Sequence, residues 1–192
     1  MKSMISRSAF RCLAAALLIS LTVSLLGSPN SASAAAAGVE QAPPNTALPE
    51  NLFVRDPPPN PSDVAAVRAT AEQGGRVVIK GRIGGAPAPI GDNRAIFLVT
   101  DYQLPTCNPG CGCPTPWDAC CAPRQTVLNN VATVQVVDGS GKPLKTDLRG
   151  INGLRPSADV AVQGKVAKKD KNLLLINAEQ IYVRPAPVGG EK

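Results

Sequence analysis

Five segments in which apolar and polar residues alternate with a period of two constrain this chain more than any other feature. They begin at Arg76 and read RVVIKGRIGG, RAIFLVTD, VATVQVVD, ADVAVQGKV and LLLINAEQIYV. Successive side chains of a β-strand point to opposite faces, so this period predicts five strands, each with a buried face. The inward positions are expected to be Val77, Ile79, Gly81 and Ile83 on the first strand, Ala132, Val134 and Val136 on the third, and Ala158, Val160, Val162, Gly164 and Val166 on the fourth. The pattern predicts an all-β domain.

Five strands are too few for a comfortable sandwich, so we expect the sheet to curl into a closed or partly open barrel. Closure also protects strand edges that would otherwise recruit other chains. Gly81 and Gly164 fall in mid-strand, where a small barrel needs sharp bends and close backbone approach. Between the third and fourth strands, Leu148, Ile151 and Leu154 are expected to plug one end of the barrel.

The order and residue patterns of these segments resemble those of the OB-fold family. The matching stretches are VVIKGRIGG, IFLVTD, VQVVDGSGKPLKTDL, GLRPSADVAVQGKV and LLLINAEQIYV, which together span roughly residues 75–184. The chain is also similar to secreted OB-like proteins without an assigned activity that carry a CPTPWDxCC-type insertion, here CPTPWDACC. The resemblance implies a binding role, because OB domains commonly hold nucleic acid, sugar or protein on one face. Fold alone does not decide which of these is bound.

The N-terminus has the order of a secretory signal peptide. Lys2, Arg7 and Arg11 precede an apolar run and then a string of small residues, with Ala34 at the expected cleavage site. The apolar run is about 14 residues long, shorter than the roughly 20 that cross a bilayer as a helix. We therefore expect residues 1–34 to be removed and the protein to be exported to the periplasm or outside the cell. No membrane span is expected after that removal.

The remaining chain divides by composition. Residues 35–61 are rich in proline and alanine and are expected to form a disordered tether. A barrel domain is expected over residues 62–184, opening with a short helix that Ser62 caps and that Gly74 and Gly75 end. Residues 185–192 are expected to be a flexible tail.

Missing residue types exclude several kinds of chemistry. The chain has no histidine, which excludes Ser-His-Asp and Cys-His nucleophile systems and every His-ligated zinc or copper site. Both methionines lie in the signal peptide, so thioether copper ligation is absent as well. Three of the 20 basic residues also belong to the signal, which leaves 17 against 14 acidic residues. Single-stranded nucleic-acid binding by the barrel face is a further alternative. It is disfavoured by this modest charge and because Phe97, the one aromatic of the second and third strands, is expected to face inward.

Between the second and third predicted strands, residues 102–124 contain five cysteines in the spacing C-x3-C-x-C-x6-C-C: Cys107, Cys111, Cys113, Cys120 and Cys121. Export makes disulfides the default for clustered cysteines, and we favour a disulfide-braced loop with one cysteine left over. The same sulfurs form the alternative, an all-thiolate zinc or Cu(I) site, although the paired C-x2-C knuckles of zinc ribbons are absent. A third alternative is redox chemistry, against which the lack of a C-x-x-C motif argues.

The sequence therefore predicts an exported, non-catalytic binding module without a cofactor. Its partner is expected to be a protein or small ligand of the cell envelope. The candidate binding surface comprises Trp117, Asp118, Tyr102, Lys80 and Arg82. For Trp117 we favour local packing over a role as an interface anchor, and for Asp118 a turn-capping role. Asp101 and Asp138 are expected to accept hydrogen bonds at strand ends.

Overall fold

A computed structural model describes residues 47–107, 110 and 112–186. The predicted signal peptide, the first part of the tether, Cys111 and the last six residues lie outside these ranges. The described strands are β1 (Ser62–Asp63), β2 (Arg76–Ile83), β3 (Ile96–Thr100), β4 (Val131–Gln135), β5 (Asp159–Lys169) and β6 (Leu174–Val183). Two helices, α1 (Val64–Thr70) and α2 (Arg124–Asn130), and a 3-10 helix at Ile151–Gly153 complete the regular structure of these residues.

Five of the strands form a closed barrel. β2 pairs antiparallel with β3, and β3 pairs antiparallel with β4. β4 pairs in parallel with β6, which pairs antiparallel with β5. β5 then pairs antiparallel with β2, and this last ladder closes the ring. The predicted five-stranded OB-like barrel is confirmed, and its cysteine-rich loop lies between β3 and β4 as expected.

The predicted inward faces form the core. Ile79, Phe97, Val134, Val162 and Ile176 come from five different strands and are all fully or almost fully buried in one apolar cluster. The period-two alternation in the sequence therefore predicted the buried positions correctly, including Phe97. Burial of side chains of this size stabilises a fold by about 1.5–3 kcal/mol each relative to exposure, which makes this cluster the main source of stability.

Two glycines lie where the strands approach most closely. A Cβ at Gly81 would collide with the carbonyl oxygen of Thr100, and a Cβ at Gly164 would collide with that of Asn177. The register between β5 and β6 shifts next to Gly164, between Gln163 and Gly164. Both glycines thus serve the close approach predicted for a small, strongly coiled barrel.

The connection between β4 and β5 adds to the core. Leu148 and Leu154 are fully buried in the central cluster, and Ile151 packs against it with part of its surface exposed. Gly150 and Gly153 have φ near +80°, which lets the chain turn tightly on both sides of Ile151. These three apolar side chains close over the core as the sequence predicted.

The N-terminal segment differs from the expected tether. Leu52 is almost completely buried, and its carbonyl oxygen accepts a hydrogen bond from Ile181 on β6. The amide of Val54 donates to the carbonyl of Ile181, and Phe53 forms a bridge with the same residue. The folded part therefore begins before the predicted boundary at Ser62, because Leu52 and Phe53 add an apolar contact that proline content alone did not reveal.

The start of α1 also corrects the sequence interpretation. Ser62 lies in β1 beside Ile79, and Asp63 occupies the N-cap position without a side-chain capping bond. The helix ends at Thr70, before the expected stop at Gly74 and Gly75. None of the helices in the described ranges has the length and apolar character needed to span a membrane.

Candidate metal centre in the cysteine-rich loop

The base of the loop is fixed to the barrel at Asp101, directly after β3. Its amide donates to the carbonyl of Asn130, the last residue of α2, with an N–O distance of 2.8 Å. The two ends of the excursion therefore meet where β3 and β4 pair. The sequence did not predict α2, whose seven residues follow Pro123 and carry no fully buried side chain to mark a helical face.

The carboxylate of Asp101 holds two further segments together. Oδ2 accepts from the amide of Ala65 in the first turn of α1 at 3.0 Å, and Oδ1 accepts from the amide of Gln103 at 2.9 Å. Asp101 is only 2% exposed. The expectation of a strand-terminal acceptor is confirmed, and the structure adds that this residue caps α1 in place of Ser62.

Short-range turns then bring the two groups of cysteines together. The amide of Cys107 donates to the carbonyl of Asp118 at 2.8 Å, and the amide of Asp118 donates back to Thr115 at 3.0 Å. Asp118 is buried, and its Oδ1 accepts from the amide of Ala119 at 2.7 Å. The Asp118 carboxylate therefore lies at the turn that leads into the final cysteine pair, and the capping role expected for it stays a prediction.

Trp117 attaches the loop to the connection between β2 and β3. Its carbonyl accepts from the amide of Gly85 at 2.8 Å, while its indole Nε1 donates to the carbonyl of Pro87 at 3.1 Å. A Cβ at Gly84 would press against the same Trp117 carbonyl, so glycine is needed there. These contacts support the packing interpretation of Trp117.

Four sulfur atoms converge at the end of this loop. The Sγ of Cys120 lies 3.0 Å from that of Cys107, 3.4 Å from that of Cys113 and 3.7 Å from that of Cys121. All four sulfurs lie within 4.8 Å of one another. Cys107 is buried and Cys113 is half-buried, whereas Cys120 and Cys121 are exposed. The cluster therefore has one side in the loop and the other toward solvent.

No two of these four sulfurs lie at the distance of a disulfide bond. A disulfide would place two sulfurs about 2.05 Å apart, and the cysteines that the structure describes are all free. The predicted disulfide bracing therefore remains a prediction. Cys111 lies outside the described residues.

Hydrogen bonds among the thiols set their proton affinities. The Cys120 thiol donates to the Cys107 sulfur, and the backbone amide of Cys120 also faces that sulfur; these donors lower the pKa of Cys107. The bond to Cys107 raises the pKa of Cys120 to about 12, and the bond to Cys120 raises the pKa of Cys121 to about 12. Of these three thiols, that of Cys107 therefore loses its proton most readily.

The five candidate binding residues divide into two groups. Trp117 and Asp118 belong to the loop and serve its internal structure. Lys80 and Arg82 alternate with buried residues on β2, and the Arg82 guanidinium carbon lies 5.6 Å from the centroid of the Tyr102 ring. Of the predicted binding surface, the structure thus brings Arg82 and Tyr102 together beside Lys80.

Comparison with known proteins adds little to this description. No family model matches the chain, and no curated protein matches it significantly. Among solved structures, it is similar to the hypothetical protein ygiW from E. coli, with 17% identity over 65% of this chain and 90% of that chain and a TM-score of 0.35. The assignment of an OB-like barrel therefore rests on the strand pairing of the chain itself.

Proposed function

We propose that the protein is an exported, non-catalytic module that binds one metal ion, with Zn²⁺ as the first candidate, through Cys107, Cys113, Cys120 and Cys121. The observation that carries the proposal is the convergence of four sulfurs within 4.8 Å of one another. Export is supported by the signal-peptide pattern of residues 1–34.

The sulfur separations fit a tetrahedral thiolate site better than a pair of disulfides. Zinc–sulfur bonds of about 2.3 Å place the corners of a regular tetrahedron about 3.8 Å apart. The distances from Cys120 to its three neighbours, 3.0, 3.4 and 3.7 Å, approach that value. A change of less than about 1 Å in each distance would bring all three to this value.

The arrangement around Cys120 gives a second argument. A disulfide joins one sulfur to one partner, so two disulfides would separate the four sulfurs into two pairs. Instead, Cys120 lies within 4 Å of all three other sulfurs. Convergence of this kind is what a shared central ion requires, and thiolate ligands select Zn²⁺ or Cu(I) over hard cations.

The number of protein ligands supports the non-catalytic part of the proposal. Four protein ligands complete a tetrahedral shell, whereas catalytic zinc keeps one position for water or substrate. Two of the ligands, Cys120 and Cys121, are exposed at the surface. Incoming thiols can therefore reach the ion, and we propose that the site exchanges its metal more readily than a buried structural site does.

Titration of the reduced protein with Co²⁺ tests the proposal, because four thiolates around Co²⁺ give sulfur-to-metal charge-transfer and tetrahedral d–d absorption bands. We expect these bands to saturate at one Co²⁺ per chain and to disappear when Zn²⁺ is added. Cys107→Ser and Cys120→Ser should each weaken binding by at least about tenfold, since each removes one ligand.

Cys111→Ser is the matched control, since it removes a loop cysteine that the proposed shell does not include. It should leave stoichiometry and band shape unchanged. Saturation without tetrahedral bands, or equal effects of Cys111→Ser and Cys120→Ser, would contradict the four-ligand site.

A further inference from the structure

A second feature of the molecule is a cleft on the outside of the barrel, between the sheet and the segment around Pro57 and Pro61. Its volume is about 410 Å³, within the range of roughly 300–1,000 Å³ usual for small-molecule sites. The ladders place Lys80 of β2 opposite Ala161 of β5, and Ala161 opposite Tyr182 of β6. Ala161 is thus a small, almost buried residue between two large side chains.

Aromatic surface is concentrated at this cleft. Tyr102 and Tyr182 both line it, and they are the only tyrosines of the chain. Tyr102 is 39% exposed, and among the described residues it is the one large hydrophobic side chain that is exposed to solvent. Burial, followed by the charge of Asp159, raises the Tyr102 pKa. The two rings offer flat surfaces at a fixed place.

Positive charge surrounds these rings. Lys80 and Arg184 line the cleft, and Arg82 lies against Tyr102. Their carboxylate partners are Asp63, 3.5 Å from Lys80, and Asp159, 3.5 Å from Arg184. Three cations therefore face two carboxylates, and both ion pairs are long and partly exposed. An incoming anion can engage Lys80 or Arg184 without breaking a tight buried pair.

We propose that this cleft is a second binding site, for a small aromatic molecule that carries a carboxylate or phosphate group. The ring of the ligand stacks on Tyr102 or Tyr182, over the flat floor at Ala161. Its anionic group pairs with Arg184 and Lys80. The site is independent of the cysteine cluster, because none of its lining residues is a proposed metal ligand.

Three probes of the same ring system test the proposal: 2-naphthoate, neutral 2-naphthol and cationic 2-naphthylmethylammonium. Binding is followed on the isotopically labelled exported protein through the backbone amide signals. We expect 2-naphthoate to shift the signals of Lys80, Ala161 and Tyr182 and to bind at least about threefold tighter than the cation, as exposed charge pairs typically contribute.

Variants separate the contributions of charge and ring. Arg184→Gln should weaken 2-naphthoate about threefold and leave 2-naphthol unchanged. Tyr182→Leu should weaken both by about threefold to tenfold, because it removes a stacking surface. Lys165→Gln is the matched control, because this exposed lysine of β5 does not line the cleft. The affinity of this variant for 2-naphthoate should equal that of the wild type.

Folding of each variant is checked by its far-UV circular dichroism, and Arg184 is 66% exposed at its side chain, so its loss leaves no cavity. Equal affinity for 2-naphthoate and the ammonium probe would overturn the proposal. So would amide shifts confined to residues outside the cleft, or an unchanged affinity in the folded Arg184→Gln and Tyr182→Leu proteins.

Discussion

Replacing Asp101 by asparagine tests how the cysteine-rich loop and α1 are tied to the barrel. The change keeps the shape of the side chain but turns one acceptor oxygen into an amide donor. Asp101 accepts from the amides of Ala65 and Gln103. One of these two amides must therefore face an NH2 group and lose its acceptor.

The expected cost follows from burial. A buried donor without an acceptor costs about 1–3 kcal/mol, and loss of a helix cap typically costs about 1 kcal/mol. Asp101 is 2% exposed, so water cannot replace the missing bond. The surviving bond also changes from a charged to a neutral acceptor, which weakens it. We expect Asp101→Asn to lower the free energy of unfolding by about 2 kcal/mol, measured by urea unfolding with circular dichroism.

Asp170→Asn provides the matched control. Asp170 also accepts from two backbone amides, those of Asn172 and Leu173, but it lies at an exposed hairpin tip. Water can satisfy these amides, so the expected loss is below about 1 kcal/mol. If Asp101→Asn destabilised the protein no more than Asp170→Asn, the reasoning that a buried carboxylate joins α1 to β3 would be refuted.

Three further perturbations give expected outcomes. Gly164→Ala should destabilise the barrel by about 1–3 kcal/mol, because the added Cβ collides with the carbonyl of Asn177. Gly139→Ala is the control: Gly139 has open space around it, so the free energy of unfolding should change by less than about 0.5 kcal/mol. An equal loss in both variants would contradict the close-approach argument. Removal of metal by a chelator should leave the far-UV circular dichroism of the barrel unchanged, because none of the described residues between 102 and 123 belongs to the central apolar cluster. Loss of the β signal would show that the barrel depends on the loop. Hydrogen bonds from the Ser140 hydroxyl and the Lys142 amide lower the pKa of Asp138. The stabilising contribution of Asp138 is therefore present above the unfolded-state pKa of about 3.9 and fades as pH falls through the folded-state pKa. The difference in unfolding free energy between wild type and Asp138→Asn, measured in urea, should shrink on acidification. A difference independent of pH between about 2 and 7 would contradict this assignment.

The barrel was predictable because the alternation of side chains carries the information directly. Each inward residue named for the first, third and fourth strands is buried or packed against the core. Gly81 and Gly164 signalled close approach because glycine in mid-strand has few other uses. In a β-barrel of this size the apolar face of each strand must point to the interior, so the alternation predicts the inward residues.

Long-range contacts were not predictable in the same way. The capping of α1 by Asp101 joins residues 36 positions apart, and nothing in the local sequence favours Asp101 over Ser62 as the cap. The packing of Leu52 on β6 was hidden by the prolines that surround it. The cysteine spacing lacks the knuckles that announce a metal site, and the sulfurs meet only because the turns at Asp118 and Thr115 return the chain to Cys107.

The intact mass of the purified protein, measured under native and then denaturing conditions, tests the metal site most directly. We expect a native mass equal to that of the purified chain plus one Zn²⁺. We also expect that acid releases the metal and leaves Cys107, Cys113, Cys120 and Cys121 as reduced thiols that alkylate. A metal-free protein that is four hydrogens lighter than the reduced chain, with these cysteines resistant to alkylation, would show two disulfides and contradict the account.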